Sequence, residues 1–254
     1  MVSKIGVFDS GIGGLSVLKE LIKTFPKNHF IYLSDEGYFP YGTKEREEII
    51  ERGERIVSFL KEKKVNLVVV ACNTMSSVGL PYLKEKFSIP IVGVIEGAVE
   101  KAISTTKNGK IGVISTPLTA KSHIYKERIT SLLPEAQVLE IGSQELVNVV
   151  EDGIIEENPV FPLAKRVLSP LKDVDTLILG CTHFPPLEEI IRRIIPHVKI
   201  VDPGKEITFK LKHLVECNSN LKLEFYTTGD KNSFKRKANI FIDNFNFEVK
   251  EIDI

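Results

Sequence analysis

Short apolar runs and longer amphipathic segments alternate along the chain. Runs at 5–8, 30–33, 67–71, 91–95, 111–114, 138–141, 176–179, 198–201 and 223–226 predict nine strands. They are nearly continuous in apolar residues, as expected of parallel strands with helices over both faces of the sheet. Between them, Leu15, Leu18, Ile22 and Phe25 step by three, four and three positions, which makes one helical face. Ile49, Gly53, Ile56 and Leu60 repeat that spacing, as do Leu187, Ile190, Ile191 and Ile194. Strand and helix therefore alternate, which predicts an open α/β fold.

The pattern also repeats at longer range. Ser3-Lys4-Ile5-Gly6-Val7-Phe8 resembles Gly109-Lys110-Ile111-Gly112-Val113-Ile114, and Val70-Ala71-Cys72-Asn73-Thr74 resembles Leu179-Gly180-Cys181-Thr182. Ile111 lies 106 residues after Ile5 and Cys181 lies 109 after Cys72, so the two matches have nearly the same offset. This predicts two flavodoxin-like parallel-sheet domains related by pseudo-twofold duplication, with a site in the cleft between them. The segment 96–108 is the expected crossover. The tail is expected to add a helix, a strand and a second helix bearing Phe234, Ala238, Phe241 and Phe245, and to complete the first domain. The expected division is 1–97 plus 208–254 for one domain and 98–207 for the other.

Cys72 and Cys181 each follow a predicted strand and precede a predicted helix. Ligands in open α/β sheets bind beyond the carboxyl ends of strands. A helix start favours negative charge and can lower a thiol from its usual pKa of about 8.5. Asn73, Thr74 and Thr182 can cap those helices or donate to a carboxylate. Either cysteine alone reads equally well as a small buried residue; their matched placement favours chemistry. Inverting a carbon centre needs a base on one face and an acid on the other, and two thiols of equal intrinsic acidity can exchange those roles.

Composition narrows the function classes. The chain has 254 residues, with 34 Lys plus Arg against 34 Asp plus Glu. Zero formal charge argues against a general nucleic-acid binder. No run approaches the roughly 18 apolar residues of a membrane span, and the first strand-like run begins at once, so no signal peptide is expected. Three cysteines without CxxC spacing predict a reducing, cytoplasmic setting rather than a disulfide framework. Gly11-Ile12-Gly13-Gly14 lacks the Gly-Lys-Ser/Thr ending of a P-loop, and Ser16 stands where GxGxxG needs glycine. A tight turn beside a small acid is expected there instead. No ligand pair with zinc-like spacing accompanies Cys181 and His183, so no metal is expected. Asp9 suits a helix N-cap as well as a catalytic carboxylate.

Taken together, Phe8 to Leu15, Asp35 with Pro40-Tyr41-Gly42, Ala71-Cys72-Asn73-Thr74, the stretch 112–119 and Leu179-Gly180-Cys181-Thr182-His183 resemble the glutamate racemases of the aspartate/glutamate racemase superfamily over essentially the whole chain. The resemblance implies interconversion of L- and D-glutamate without a cofactor, supplying D-glutamate for peptidoglycan, and assembly as a homodimer. It implies that Cys72 and Cys181 are the catalytic thiols, with Asp9 near the first and His183 near the second. Glu151 matches the acid assisting the second side; Asp152 and Glu145 are its close competitors. Ser10, Pro40, Tyr41, Gly42, Asn73, Thr74, Thr116, Thr119 and Thr182 match positions that hold the substrate.

The chain departs from the family pattern at three places. Met75 stands where a small residue is usual and is expected to tighten the pocket wall. Glu36-Gly37-Tyr38 replaces a threonine-led run, and Ser143-Gln144 replaces Cys-Pro. Three rivals stay open. Aspartate-directed relatives carry glutamate where this chain has His183, and decarboxylase relatives keep one of the two cysteines. A binding role, reported within the family toward DNA gyrase, would not need both thiols. A hydrolase using Cys72 and His183 would leave Cys181 idle.

Overall fold

All nine predicted strands are present, and a tenth joins them. The computed structural model describes residues 4–216, 220–243 and 246–254. Its strands are β1 (Lys4–Asp9), β2 (His29–Ser34), β3 (Leu67–Val70), β4 (Ile91–Gly93), β5 (Lys110–Ser115), β6 (Gln137–Gly142), β7 (Thr176–Gly180), β8 (Lys199–Val201), β9 (Lys222–Thr227) and β10 (Val249–Glu251). The extra strand, β10, offers only Val249 to the interior, so its three residues carry no apolar run to read. It is held by parallel pairing with β9.

The strands form two parallel sheets, ordered β10-β9-β2-β1-β3-β4 and β6-β5-β7-β8. Each therefore contains one flavodoxin-like order, second-first-third-fourth, and the first sheet is extended by two strands from the tail. The inner strands are buried end to end. Ile5, Val7, Phe8, Leu67, Val68, Val69 and Val70 are inaccessible, each worth about 1.5–3 kcal/mol by burial of its side chain. The edge strand β6 is the exception. Leu139 is exposed, and Glu140 pairs with His123 at 2.8 Å, because only one edge of that strand is hydrogen-bonded to a neighbour.

The chain leaves the first sheet through the helix Ile95–Thr105 and returns through the helix Pro203–Leu211. These two helices pack on each other, and the second also packs on the helix Leu15–Thr24, so the halves share apolar contacts away from the cleft. The tail helix, Lys231–Ala238, is shorter than its apolar face predicted. Asp230 caps it by accepting from the Ser233 N–H at 2.6 Å, and Phe241 is buried in the turn that follows. Phe245 and Cys217 lie outside the described residues.

Met75 corrects an expectation. It is fully buried, but a methyl on Gly53 would lie 2.7 Å from its Cε. The side chain thus fills a notch in the helix Arg46–Glu62, and it is absent from the cavity lining. The helix Asn73–Val78 turns this position toward its neighbouring helix rather than toward the cleft.

Candidate active site

The cavity between the halves is built from the carboxyl ends of matching strands. Ser10 follows β1 and Thr116 follows β5; the loop Phe39–Gly42 follows β2, and Gln144 follows β6. Cys72-Asn73-Thr74 follows β3, and Cys181-Thr182-His183 follows β7. These residues, with Val147, line a cavity of about 260 Å³ including its mouth. Two larger surface hollows, of about 630 and 840 Å³, bear no cysteine. The site is the smaller, more enclosed space because both thiols open into it. Both are buried and unpaired by disulfide.

On the second half, Cys181 Sγ lies 3.4 Å from His183 Nδ1, and His183 Nε2 lies 2.5 Å from Glu151 Oε2. Burial alone would push the imidazole down, but the Cys181 sulfur and the Glu151 carboxylate outweigh it and hold His183 well above its usual range. Glu151 also accepts from the Ile12 N–H at 3.3 Å. Its competitors point away: Asp152 is exposed, and Glu145 pairs with Arg166 at the surface.

On the first half, Cys72 is itself the N-cap of the helix Asn73–Val78, its sulfur accepting from the Met75 N–H at 3.4 Å. The Cys72 thiol also reaches Ser10 Oγ at 3.7 Å. A depressed thiol pKa was expected at such a helix start, but here the direction is reversed. Burial, with the nearby Asp9 charge, pushes Cys72 up to about 12, because two weak contacts do not replace lost hydration. Asp9 stands behind the cavity wall. It accepts from the N–H groups of Gly11 and Gly14 and from Thr182 Oγ1, at 3.0–3.3 Å. Asp9 therefore organises the turn after β1 as a capping residue would, and it links the halves as well. Burial raises it to about 6, although the His183 charge opposes this.

The turn after β1 needs glycine for close approach. A methyl on Gly11 would come within 2.5 Å of Glu151 Oε2, and one on Gly13 within 2.6 Å of Thr182 Oγ1. This explains the Gly-Ile-Gly-Gly run without any nucleotide.

Three hydroxyls form a closed set across the cleft. Thr74 and Thr116 are 2.9 Å apart, Thr116 donates to Thr119 at 2.9 Å, and Thr119 donates to Thr74 at 3.3 Å. Tyr125, unforeseen from sequence, donates to Asn73 Oδ1 at 2.6 Å, which leaves the Asn73 NH₂ as the free end. Burial holds the Tyr125 and Tyr41 phenols well above their usual range, so they stay donors. The loop carrying Pro40, Tyr41 and Gly42 is braced by buried Asp35. This carboxylate accepts from Tyr41 Oη at 2.6 Å, from Arg52 Nε and Nη2 at 2.7 and 2.6 Å, and from Thr228 Oγ1 at 2.8 Å. Ser16 donates to the Thr182 carbonyl at 3.1 Å, and Phe39 packs on the His183 ring with centroids 5.9 Å apart. Arg52, Thr228, Ser16, Phe39 and Tyr125 carry no local motif, so nothing in the sequence marks them. Gln144 was marked only as a departure from the family pattern.

Glu36 adds a further, partly buried carboxylate. Burial and the Glu151 charge raise it from 4.5 to about 7, against a hydrogen bond from Thr227. A raised carboxyl favours the protonated folded state. Its contribution to stability is therefore complete below about pH 4.5 and is lost as pH rises through about 7. Glu36→Gln is expected to add about 2 kcal/mol at pH 8 and to change little at pH 4.5. Urea unfolding at the two pH values measures this, and equal effects at both would contradict it.

Among the described residues, no three His, Cys, Asp or Glu side chains are grouped as a metal would require, and no helix is long and apolar enough to cross a membrane. Two α/β halves closing over a small polar cavity with two buried thiols define an enzyme site of the interdomain-cleft class. The chain belongs to the Asp/Glu/hydantoin racemase family, whose model matches residues 5–208, and it is an isomerase. It is 41% identical to a glutamate racemase of Fusobacterium nucleatum, covering 99% of this chain and 96% of that one. Among solved structures, a glutamate racemase isoform from Bacillus anthracis superposes with a TM-score of 0.95 at 37% identity, covering 99% and 98%. The glutamate racemase of Francisella tularensis in complex with D-glutamate gives 0.91 at 32% identity, covering 99% and 97%.

Proposed function

We propose that this protein interconverts L- and D-glutamate by two-sided proton transfer at the α-carbon, with Cys72 and Cys181 as the two acid–base groups and no cofactor. The observation that carries the reading is the pair of buried thiols in one cavity, each delivered by the equivalent strand of a repeated half. One sulfur, as thiolate, takes the α-proton. The other, as thiol, returns a proton to the opposite face, so the enzyme ends with its protonation reversed. Carbanion charge spreads into the α-carboxylate, where the Thr74, Thr116 and Thr119 hydroxyls and the Asn73 amide stabilise it without adding a competing base.

The two sides rest in unequal states on this reading. The His183 imidazolium, held by Glu151, stands 3.4 Å from Cys181, while desolvation keeps Cys72 a thiol. The domain division at 97/98 and 207/208, a cytoplasmic location, a homodimer and the supply of D-glutamate for peptidoglycan complete the proposal. The racemase relatives support the substrate, and the neutral donors lining the cavity suit a small dicarboxylate.

Incubation of the purified protein with L-glutamate in D₂O, without added cofactor, is expected to give loss of optical rotation together with deuterium at the α-carbon. Retained rotation would defeat the assignment. Turnover of aspartate in preference to glutamate would move it to the aspartate-directed branch.

A further inference from the structure

We propose that Gln144 is a substrate-contacting residue that grips the distal carboxylate of glutamate through its side-chain amide; this rests on the reading of glutamate as substrate. Gln144 begins the helix Gln144–Glu151 directly after β6, the strand that corresponds in order to β2. It therefore faces the loop Phe39–Gly42 across the cleft, and both line the cavity.

The amide is held at one end only. Its Nε2 donates to Asn148 Oδ1 at 2.8 Å. Its Oε1 is buried and has no hydrogen-bond partner among the described residues. That oxygen lies against Gly42, where a methyl on the glycine would come within 2.6 Å of it. A buried acceptor without a donor is unfavourable, and native structures rarely leave one unexplained.

An amide has a simple remedy. A half-turn of the Gln144 amide exchanges its oxygen and nitrogen. Asn148 is exposed, so its own amide can turn in concert and keep the pair bonded. The NH₂ of Gln144 then faces the cavity as a donor.

An anionic oxygen is the natural partner for that donor. The residues lining the cavity include no Lys or Arg, and the His183 imidazolium is engaged by Cys181 and Glu151, so neutral groups are left to hold both carboxylates. On the proposed reading the Thr74, Thr116 and Thr119 hydroxyls and the Asn73 amide serve the α-carboxylate. Gln144 is the lining amide of the second half, and this set does not use it. Its hydrogen bond would register the length of the substrate side chain, because aspartate is one methylene shorter.

Steady-state kinetics of Q144L and Q144E with glutamate test the proposal, with thermal unfolding as the control for folding. Q144L is expected to raise KM about tenfold to a hundredfold, the range for one charge-assisted hydrogen bond, with kcat within about twofold. Q144E is expected to raise KM further, because it sets a carboxylate against a carboxylate. In both variants the preference for glutamate over aspartate should shrink.

Unchanged KM in folded Q144L and Q144E would overturn the proposal while leaving the racemase reading intact. A lowered KM in Q144E would also overturn it, since that result would assign the amide oxygen to the substrate ammonium. If wild-type protein does not turn over glutamate, the functional reading fails first, and the two failures are thereby distinguished.

Discussion

Replacing either Cys72 or Cys181 by Ala is expected to lower kcat for racemisation about 10⁴-fold, the upper end of what one positioned acid–base group contributes. The full effect is expected because no other thiol among the described residues lines the cavity and the two groups sit on opposite halves. The substitutions remove one buried atom each, so the cost in stability is only about 1 kcal/mol.

The residual chemistry of the two variants should differ in handedness. With Cys72 gone, Cys181 and its His183–Glu151 support can still exchange the α-proton of the enantiomer that faces it. With Cys181 gone, only the other enantiomer can exchange, and more slowly, because burial holds the Cys72 thiol up at about 12. Proton NMR of each pure enantiomer in D₂O separates these outcomes. Exchange of the same enantiomer by both variants would place the sulfurs on one side and end the two-sided mechanism.

Glu151→Gln should lower kcat about 10²-fold and shift the alkaline limb of the pH–rate profile to lower pH. The folded protein holds His183 protonated well above its usual range, with Cys181 and Glu151 both contributing. Removing the carboxylate charge takes away part of that support, so the imidazolium is lost at lower pH. Stability should follow the same sign. The contribution of a raised His is complete below its unfolded pKa of about 6.5 and is lost as pH rises through the folded value. The glutamine can still accept from the Ile12 N–H, which now bonds Glu151 at 3.3 Å, so folding should be retained. A pH–rate profile of the variant that superposes on wild type would remove Glu151 from the Cys181 side.

Much of this was legible in the chain itself. The nine apolar runs became strands because parallel strands with helices on both faces must be apolar throughout, and that demand is local. The repeat around Cys72 and Cys181 was equally visible, since equivalent strands need equivalent ends. The Gly11–Gly14 turn was readable as a close approach, though not what approaches it. Strand β10 escaped because a three-residue edge strand with one buried side chain leaves no pattern.

For Cys72 the expected direction was reversed for a different reason. A helix start predicts a lowered thiol pKa, whereas Cys72 lies so deep that lost hydration prevails. Depth is set by the whole fold, not by neighbours in sequence. The same holds for Tyr125 on Asn73, Arg52 on Asp35, and Gln144 against Gly42: each partner comes from another element, often from the other half. Sequence by itself determined the repeated α/β architecture and the candidate thiols, because periodicity and strand ends are short-range. Only the tertiary structure decided which carboxylate meets His183, how deeply the sulfurs are buried and which amide oxygen is left without a donor, because burial and through-space charge depend on where distant segments meet.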